Sequence, residues 1–349
     1  MSLAPFEGKA TALEEVSSEV AGEPSWAIEG RSPLRLALAR LRTDRMAFLA
    51  AGAIILMALL AIFAPLISAA TGHDPLNPNL LTGTNSFGQP LGLGQGGYLL
   101  GTDNVGRDIL VRIAYGARIS LLVGVLSTVI ASVAGTIIGV IAGYYGGWID
   151  AVLARLMDTV LSFPYVLLAI VLASVYGPSL SLTIGVIAFF SWAAIGRIVR
   201  DQTLSLREKE YVEAARSLGA GNLRIMFIEI LPNLMAPVIV LGTLLVPTAI
   251  VFEATLDYLG VGVGPPTPTW GNMLADAQGS GFQDWWFWIF PSLALLITTL
   301  GFNLLGDSVR DALDPRTERI FAMRKRGRGG GDGADQEAEE RLLGEAQPG

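Results

Sequence analysis

The sequence has no cysteine and a single histidine, His73. Disulfide frameworks, thiol nucleophiles and zinc sites of the His/Cys kind are therefore excluded. No Gly-x-Ser-x-Gly, His-Glu-x-x-His or paired His/Asp cluster occurs, so the nucleophile and base combinations that catalysis needs are missing and no catalytic residue is assigned. A Gly-x-x-x-x-Gly-Lys-Ser/Thr loop is also lacking, which removes ATP binding of the P-loop kind. Any energy the chain uses must come from a partner. Charge is scarce too: 16% of residues are charged, against roughly 25% in an average soluble domain.

What is present is apolar, 52% of the 349 residues. A bilayer core about 30 Å thick takes roughly 20 apolar residues in helix. Six segments of that kind stand out, at 46–69, 119–144, 152–175, 180–198, 234–256 and 285–305, the third and fourth separated only by the turn at Gly177-Pro178. The expected fold is an all-α membrane protein of six transmembrane helices. No cleavable signal peptide is visible, because the apolar run after Arg40, Arg42 and Arg45 is longer than an h-region of roughly 7–15 residues. It reads as an uncleaved span.

Basic residues are retained on the cytoplasmic side. They cluster before the first span (Arg35, Arg40, Arg42, Arg45), between the fourth and fifth (Arg207, Lys209, Arg216, Arg224) and after the sixth (Arg310 to Arg326). With an even number of spans, both termini are expected in the cytoplasm. The connection 257–284 has no Lys or Arg, as an external loop should. Arg107, Arg112 and Arg118 fall on the outer side against the trend, in a long connection where the rule holds less strictly. Segments 1–32 and 317–349 are acidic and polar and read as disordered tails. Within 33–70, Leu34, Ala37, Leu38 and Leu41 share one helical face among arginines, the pattern of a basic helix on the membrane surface entering the first span. Segment 71–118 is then extracytoplasmic, and 119–316 forms a core of five spans.

The loop 207–232 is the most informative stretch. Tyr211, Ala214, Ala215 and Leu218 recur at helical spacing and form a shallow apolar stripe, with Glu208, Glu210, Glu213 and Arg216 left to water or a partner. Gly219 supplies a permissive backbone where the helix ends. Residues 223–231 read as a second helix stopped by Pro232.

Glu213-Ala214-Ala215, Gly219 and Leu231-Pro232 resemble the EAA loop of binding-protein-dependent ABC importer permeases. One departure is Glu229, flanked by Ile228 and Ile230, where that family's pattern has isoleucine. Leu100 to Asp108, Tyr115 to Leu121, Phe163-Pro164, Glu253-Ala254 with Leu259-Gly260, Thr269-Trp270-Gly271-Asn272-Met273 and the ending Gly306 to Arg316 are similar to the C-type permease of the dipeptide/oligopeptide/nickel branch. The resemblance spans most of the chain. It implies a type I importer bundle, a non-catalytic subunit in a bacterial or archaeal cytoplasmic membrane, and peptide as cargo, with nickel or another small solute as the alternative. It implies as partners a homologous permease, two ATPase subunits that hold ATP and Mg, and an extracytoplasmic substrate-binding protein, with no cofactor bound by this chain and no nucleic acid. Tyr211, Glu213, Ala214, Ala215, Gly219, Leu231 and Pro232 would form the coupling element that docks on an ATPase. Thr269, Trp270, Gly271, Asn272 and Met273 are the candidates for docking the binding protein.

Plainer roles are expected for other residues. Gly135, Gly139 and Gly143 repeat every four positions and suit close helix packing. Pro164 and Pro247 read as fixed kinks, with gating hinges as the alternative. Trp285, Trp286 and Trp288 read as an interfacial anchor. Asp103, Arg107 and Asp108 could cap helices, pair with one another or face a partner. An ion-coupled carrier is the rival class, but it needs ionisable groups at membrane depth. Arg155 and Asp158 read as a local pair, and Glu253 and Asp257 lie near a span end.

Overall fold

Asp44 accepts the Met46 amide at 2.9 Å and so starts the first long helix of the computed structural model, which describes residues 41–42, 44–280 and 282–313. Both expected tails, and most of the basic helix at 33–45, lie outside the described residues. The elements are α1 (Arg45–Ile62), α2 (Ala64–Thr71), α3 (Ile109–Tyr145), α4 (Gly147–Ser162), α5 (Tyr165–Tyr176), α6 (Leu180–Leu206), α7 (Glu210–Ser217), α8 (Leu231–Tyr258), α9 (Trp270–Ala277) and α10 (Trp285–Leu313). Among the described residues there are no β-strands, only two isolated bridges.

Among the described residues, five helices are long and apolar enough to cross a membrane, and a sixth crossing is made if the pair α4 and α5 counts as one. The third expected span, 152–175, is corrected by the structure. It is not one rod but two helices meeting at 79°. The physical cause is Phe163-Pro164: both residues are extended, with ψ of 134° and 98°, because proline donates no N–H and pushes the residue before it out of the α region. The second span also begins earlier than expected, at Ile109 rather than Ile119. Asp108 caps it by accepting the Leu110 amide at 2.8 Å.

The seam between α3 and α6 is the most extensive helix contact among the described residues. A Cβ added at Gly135, Gly139 or Gly143 would stand 2.5, 2.6 and 2.7 Å from the carbonyl oxygens of Trp192, Gly196 and Arg200. Both helices advance four residues per step, so the backbones run against each other over two turns, as expected of a small-residue face. Pro247 lies inside the unbroken α8. Two larger clusters of buried side chains fill the bundle, one around Trp192, Val212, Ile225 and Ile230 near α7, the other around Ile113, Trp270 and Phe287 near α9.

Candidate functional site

The α7 end is built from a short helix fixed to the bundle by one buried side chain. Val212 is 0% exposed and packs with Ile225, Met226 and Ile230. The remaining apolar side chains of α7 and its cap point away from the core: Tyr211 is 41% and Leu218 89% exposed, and Glu213 and Ala214 are exposed while Ala215 is half-buried. The stripe read from the sequence is thus largely an outward face. Gly219 takes the left-handed conformation, φ +83°, and the helix closes by the Ala220 amide donating to Ala215 O at 3.1 Å, a Schellman-type ending. Burial, and secondarily the Glu229 carboxylate, raise the pKa of the Tyr211 phenol.

The second helix of the loop is corrected. Residues 222–258 continue as one span, and Pro232 does not stop it. Ile225–Ile230 is π-helical, with the Leu231 amide bonding Met226 O, five residues back. That wider turn brings the chain to a proline in the first turn of α8, where a missing N–H is tolerated. Leu231 packs partly buried against the core cluster, and Pro232 is exposed. Tyr144 at the end of α3 donates to Asn222 Oδ1 at 2.9 Å. Arg200 of α6 holds Asp150 of α4 through two hydrogen bonds, one of 2.7 Å. Arg155 and Asp158 are not the pair expected; Asp158 bonds Arg197 of α6 at 3.1 Å.

The bend between α4 and α5 opens a cleft of about 550 Å³ against α6, α8 and α10. Phe163 and Tyr165 stand at its bend, Tyr165 packing on Phe252 with ring centroids 4.3 Å apart. Ser191, Thr248, Thr255, Thr299 and Asn303 bring polar groups from three helices into a largely apolar wall. None of these five was singled out from the sequence. Their signal there is weak, since isolated hydroxyls and amides in a span also serve packing.

At the α9 end, the five candidates Thr269 to Met273 do not form an exposed docking surface. Thr269, Trp270 and Met273 are 0% exposed, Gly271 is buried and Asn272 is half-buried. Thr269 Oγ1 accepts the Asn272 amide at 3.0 Å and caps α9. Trp270 Nε1 donates to Ile113 O at 3.2 Å, and Asn272 Nδ2 donates to Val263 O at 2.6 Å. A Cβ on Gly271 would lie 2.5 Å from Ala254 O. These side chains clamp α9 onto α3 and α8, and of the five only Asn272 keeps part of its surface exposed. Asp103, Arg107 and Asp108 are likewise structural. Arg107 bonds Asp103 at 2.6 Å and Asp276 at 3.0 Å, and buried Arg112 lies 3.6 and 3.4 Å from the same two acids. His73 Nδ1 meets Asp108 Oδ2 at 2.6 Å and stacks on Tyr98. Trp285 is 46% exposed, while Trp286 turns inward to Thr102 O at 3.4 Å.

Residues 135–319 match the family model of the binding-protein-dependent transport system inner membrane component, and residues 32–85 match the N-terminal TM domain of oligopeptide transport permease C. The chain is 41% identical over 285 residues to the dipeptide transport system permease protein DppC of Alkalihalophilus pseudofirmus, covering 82% of this chain and 90% of that one. It is also 41% identical over 289 residues to the oligopeptide transport system permease protein OppC of Escherichia coli K12, covering 83% and 93%. Among solved structures, the MetNI methionine ABC transporter in inward-facing conformations is similar, with a TM-score of 0.49 and 17% identity over 58% of this chain and 96% of that chain.

Proposed function

The chain belongs to the family of binding-protein-dependent transport system inner membrane components, and on that premise we propose that it is the permease subunit of an ATP-driven importer whose cargo is a peptide. The observation that carries this is α7. A helix with an outward apolar face is held to the spans by the buried Val212, and such a face suits docking in a partner's groove. Tyr211, Glu213, Ala214, Ala215 and Gly219 meet a separate ATPase subunit, while Leu231 and Pro232 carry its displacement into α8. ATP and magnesium stay on two such ATPases, and this chain binds no cofactor.

The cleft at the Phe163-Pro164 bend forms one half of the translocation pathway, and a homologous permease supplies the other. Substrate arrives from an extracytoplasmic binding protein on the α9 side, and α7 and both termini lie in the cytoplasm, a reading that the clustering of arginines before the first span, between the fourth and fifth and after the last supports. Movement of α7 on nucleotide closure swings the spans between inward- and outward-facing states.

Cargo follows from the dipeptide and oligopeptide systems to which the chain is 41% identical. The test is purification with its partners and reconstitution into proteoliposomes. Uptake of a labelled dipeptide or oligopeptide that requires both ATP and the binding protein is expected. Recovery of the chain alone, with uptake driven by an ion gradient, would overturn the proposal.

A further inference from the structure

Glu253 and Asp257 lie one turn apart at the end of α8 and are 0% and 1% exposed. Three of their four carboxyl oxygens have protein donors. Glu253 Oε1 accepts from Ser120 Oγ at 3.1 Å, Asp257 Oδ1 accepts the Val263 amide at 2.5 Å, and Asp257 Oδ2 accepts the Thr269 hydroxyl. The fourth, Glu253 Oε2, is buried, and no N–H or O–H of the protein reaches it. Among the described residues neither acid has an ion-pair partner.

Two buried carboxylates this close, with no cation, are a costly arrangement. Four residues apart on one helix, the two side chains share a face, and two carboxylates there can bond one another only if one carries a hydrogen. We propose that Glu253 and Asp257 form a proton-binding site in which one proton, held between Glu253 Oε2 and the Asp257 carboxyl, ties the end of α8 to the loop after it and to α9. The orphaned oxygen and the missing cation are both accounted for by that proton.

The surroundings give the site its reach. A Cβ on Gly262 would stand 1.9 Å from Asp257 Oδ1, and one on Gly271 2.6 Å from Asp257 Cβ. The loop and α9 therefore close directly on this side chain, and Asp257 holds Thr269, the residue that caps α9. The other titratable groups on the packed elements have their own partners or face outward. Arg112 of α3 and Asp276 of α9 belong to the ion-pair network, Arg118 lies exposed beside the Tyr115 ring, and Tyr258 takes a hydrogen bond from Gln278. Residues 180–195 of α6 and the loop 259–268 contain no ionisable side chain.

The inference does not depend on transport, and neither does its test. The full chain is purified in lipid nanodiscs at neutral pH, and its infrared spectrum is compared with those of Glu253→Gln and Asp257→Asn. A carbonyl-stretch band of a protonated, buried carboxylic acid is expected in the wild type and absent from Glu253→Gln, whose amide can still donate to Asp257 and accept from Ser120. Asp257→Asn supplies a donor of its own, so the same band is lost although Glu253 remains. Thermal unfolding separates folding from protonation: Glu253→Gln stays close to wild type, while Glu253→Ala unfolds at lower temperature. Absence of the band in the wild type overturns the proposal, as does its persistence in Glu253→Gln. A wild type without the band whose stability rises with sodium but not with potassium would assign the site to a metal cation instead.

Discussion

Arg207, which ends α6, donates from Nη1 to the main-chain carbonyl of Gly143 at 3.0 Å. The last turn of α3 is thereby tied to the start of the loop that carries α7. Replacing Arg207 with alanine removes this half-exposed charged donor, at a cost of about 1 kcal/mol in stability. The expected result is a folded protein whose partners still hydrolyse ATP while uptake falls several-fold, read from parallel ATPase and uptake assays. Equal losses in both assays would show that the bond serves stability alone.

Gly219 sits at φ +83° with nothing within 4 Å of an added Cβ. Space is available there and only backbone conformation resists substitution, at about 1–2 kcal/mol for an ordinary L-residue. Gly219→Asn, which tolerates the left-handed region, should transport nearly as well as wild type. Gly219→Val should lose most uptake. Full transport by the valine variant would remove this turn from the coupling element.

Val212 on α7 and Leu218 at its C-terminal cap have opposite surroundings, 0% and 89% exposed. Val212→Asp buries a charge without a partner and should cost several kcal/mol, seen as a lowered unfolding temperature or failure to purify. Leu218→Asp should leave unfolding unchanged and weaken recovery of the ATPase subunit. Co-purification at unchanged yield would mean that this face is not where the ATPase docks.

Asp74 accepts the Leu76 amide at 2.7 Å and the Asn77 amide at 3.1 Å. The Leu76 bond first, then that from Asn77, holds its pKa below the 3.8 of an ordinary aspartate. A depressed carboxylate stabilises the fold above its unfolded value, and that contribution is lost as pH falls through the folded value. Asp74→Asn should therefore be the less stable protein at neutral pH, and the difference should shrink in acid below the ordinary aspartate range. Thermal unfolding of both proteins across that range is the check.

The spans were legible as apolar runs because a bilayer demands them whatever the tertiary structure. The Gly135, Gly139 and Gly143 face and the α7 stripe were legible because helical spacing is a local property. The rest depended on partners distant in sequence. Trp270 looked available to a partner protein because it lies between two spans, yet its hydrogen-bond acceptor is 157 residues away at Ile113. Arg107 and Arg112 obscured the start of α3, since their acid, Asp276, lies 169 and 164 residues on. Pro232 read as a stop because a π-turn before it leaves no mark in composition. Pro164 announced a kink, but the Asp150–Arg200 and Asp158–Arg197 pairs that join α4 to α6 left no sign, because each unites residues distant in sequence.

The 79° bend at Phe163-Pro164 also limits what can touch this part of the surface. With 12 residues, α5 is about 18 Å long at 1.5 Å per residue, well short of the hydrocarbon layer's roughly 30 Å. The junction with α4 therefore falls at a depth where lipid tails offer no hydrogen bonds, although a helix ending there leaves carbonyls that need them. Acyl chains cannot solvate that rim. Water or another polypeptide must lie against it throughout the protein's working life, so this rim is a place that lipid alone can never cover.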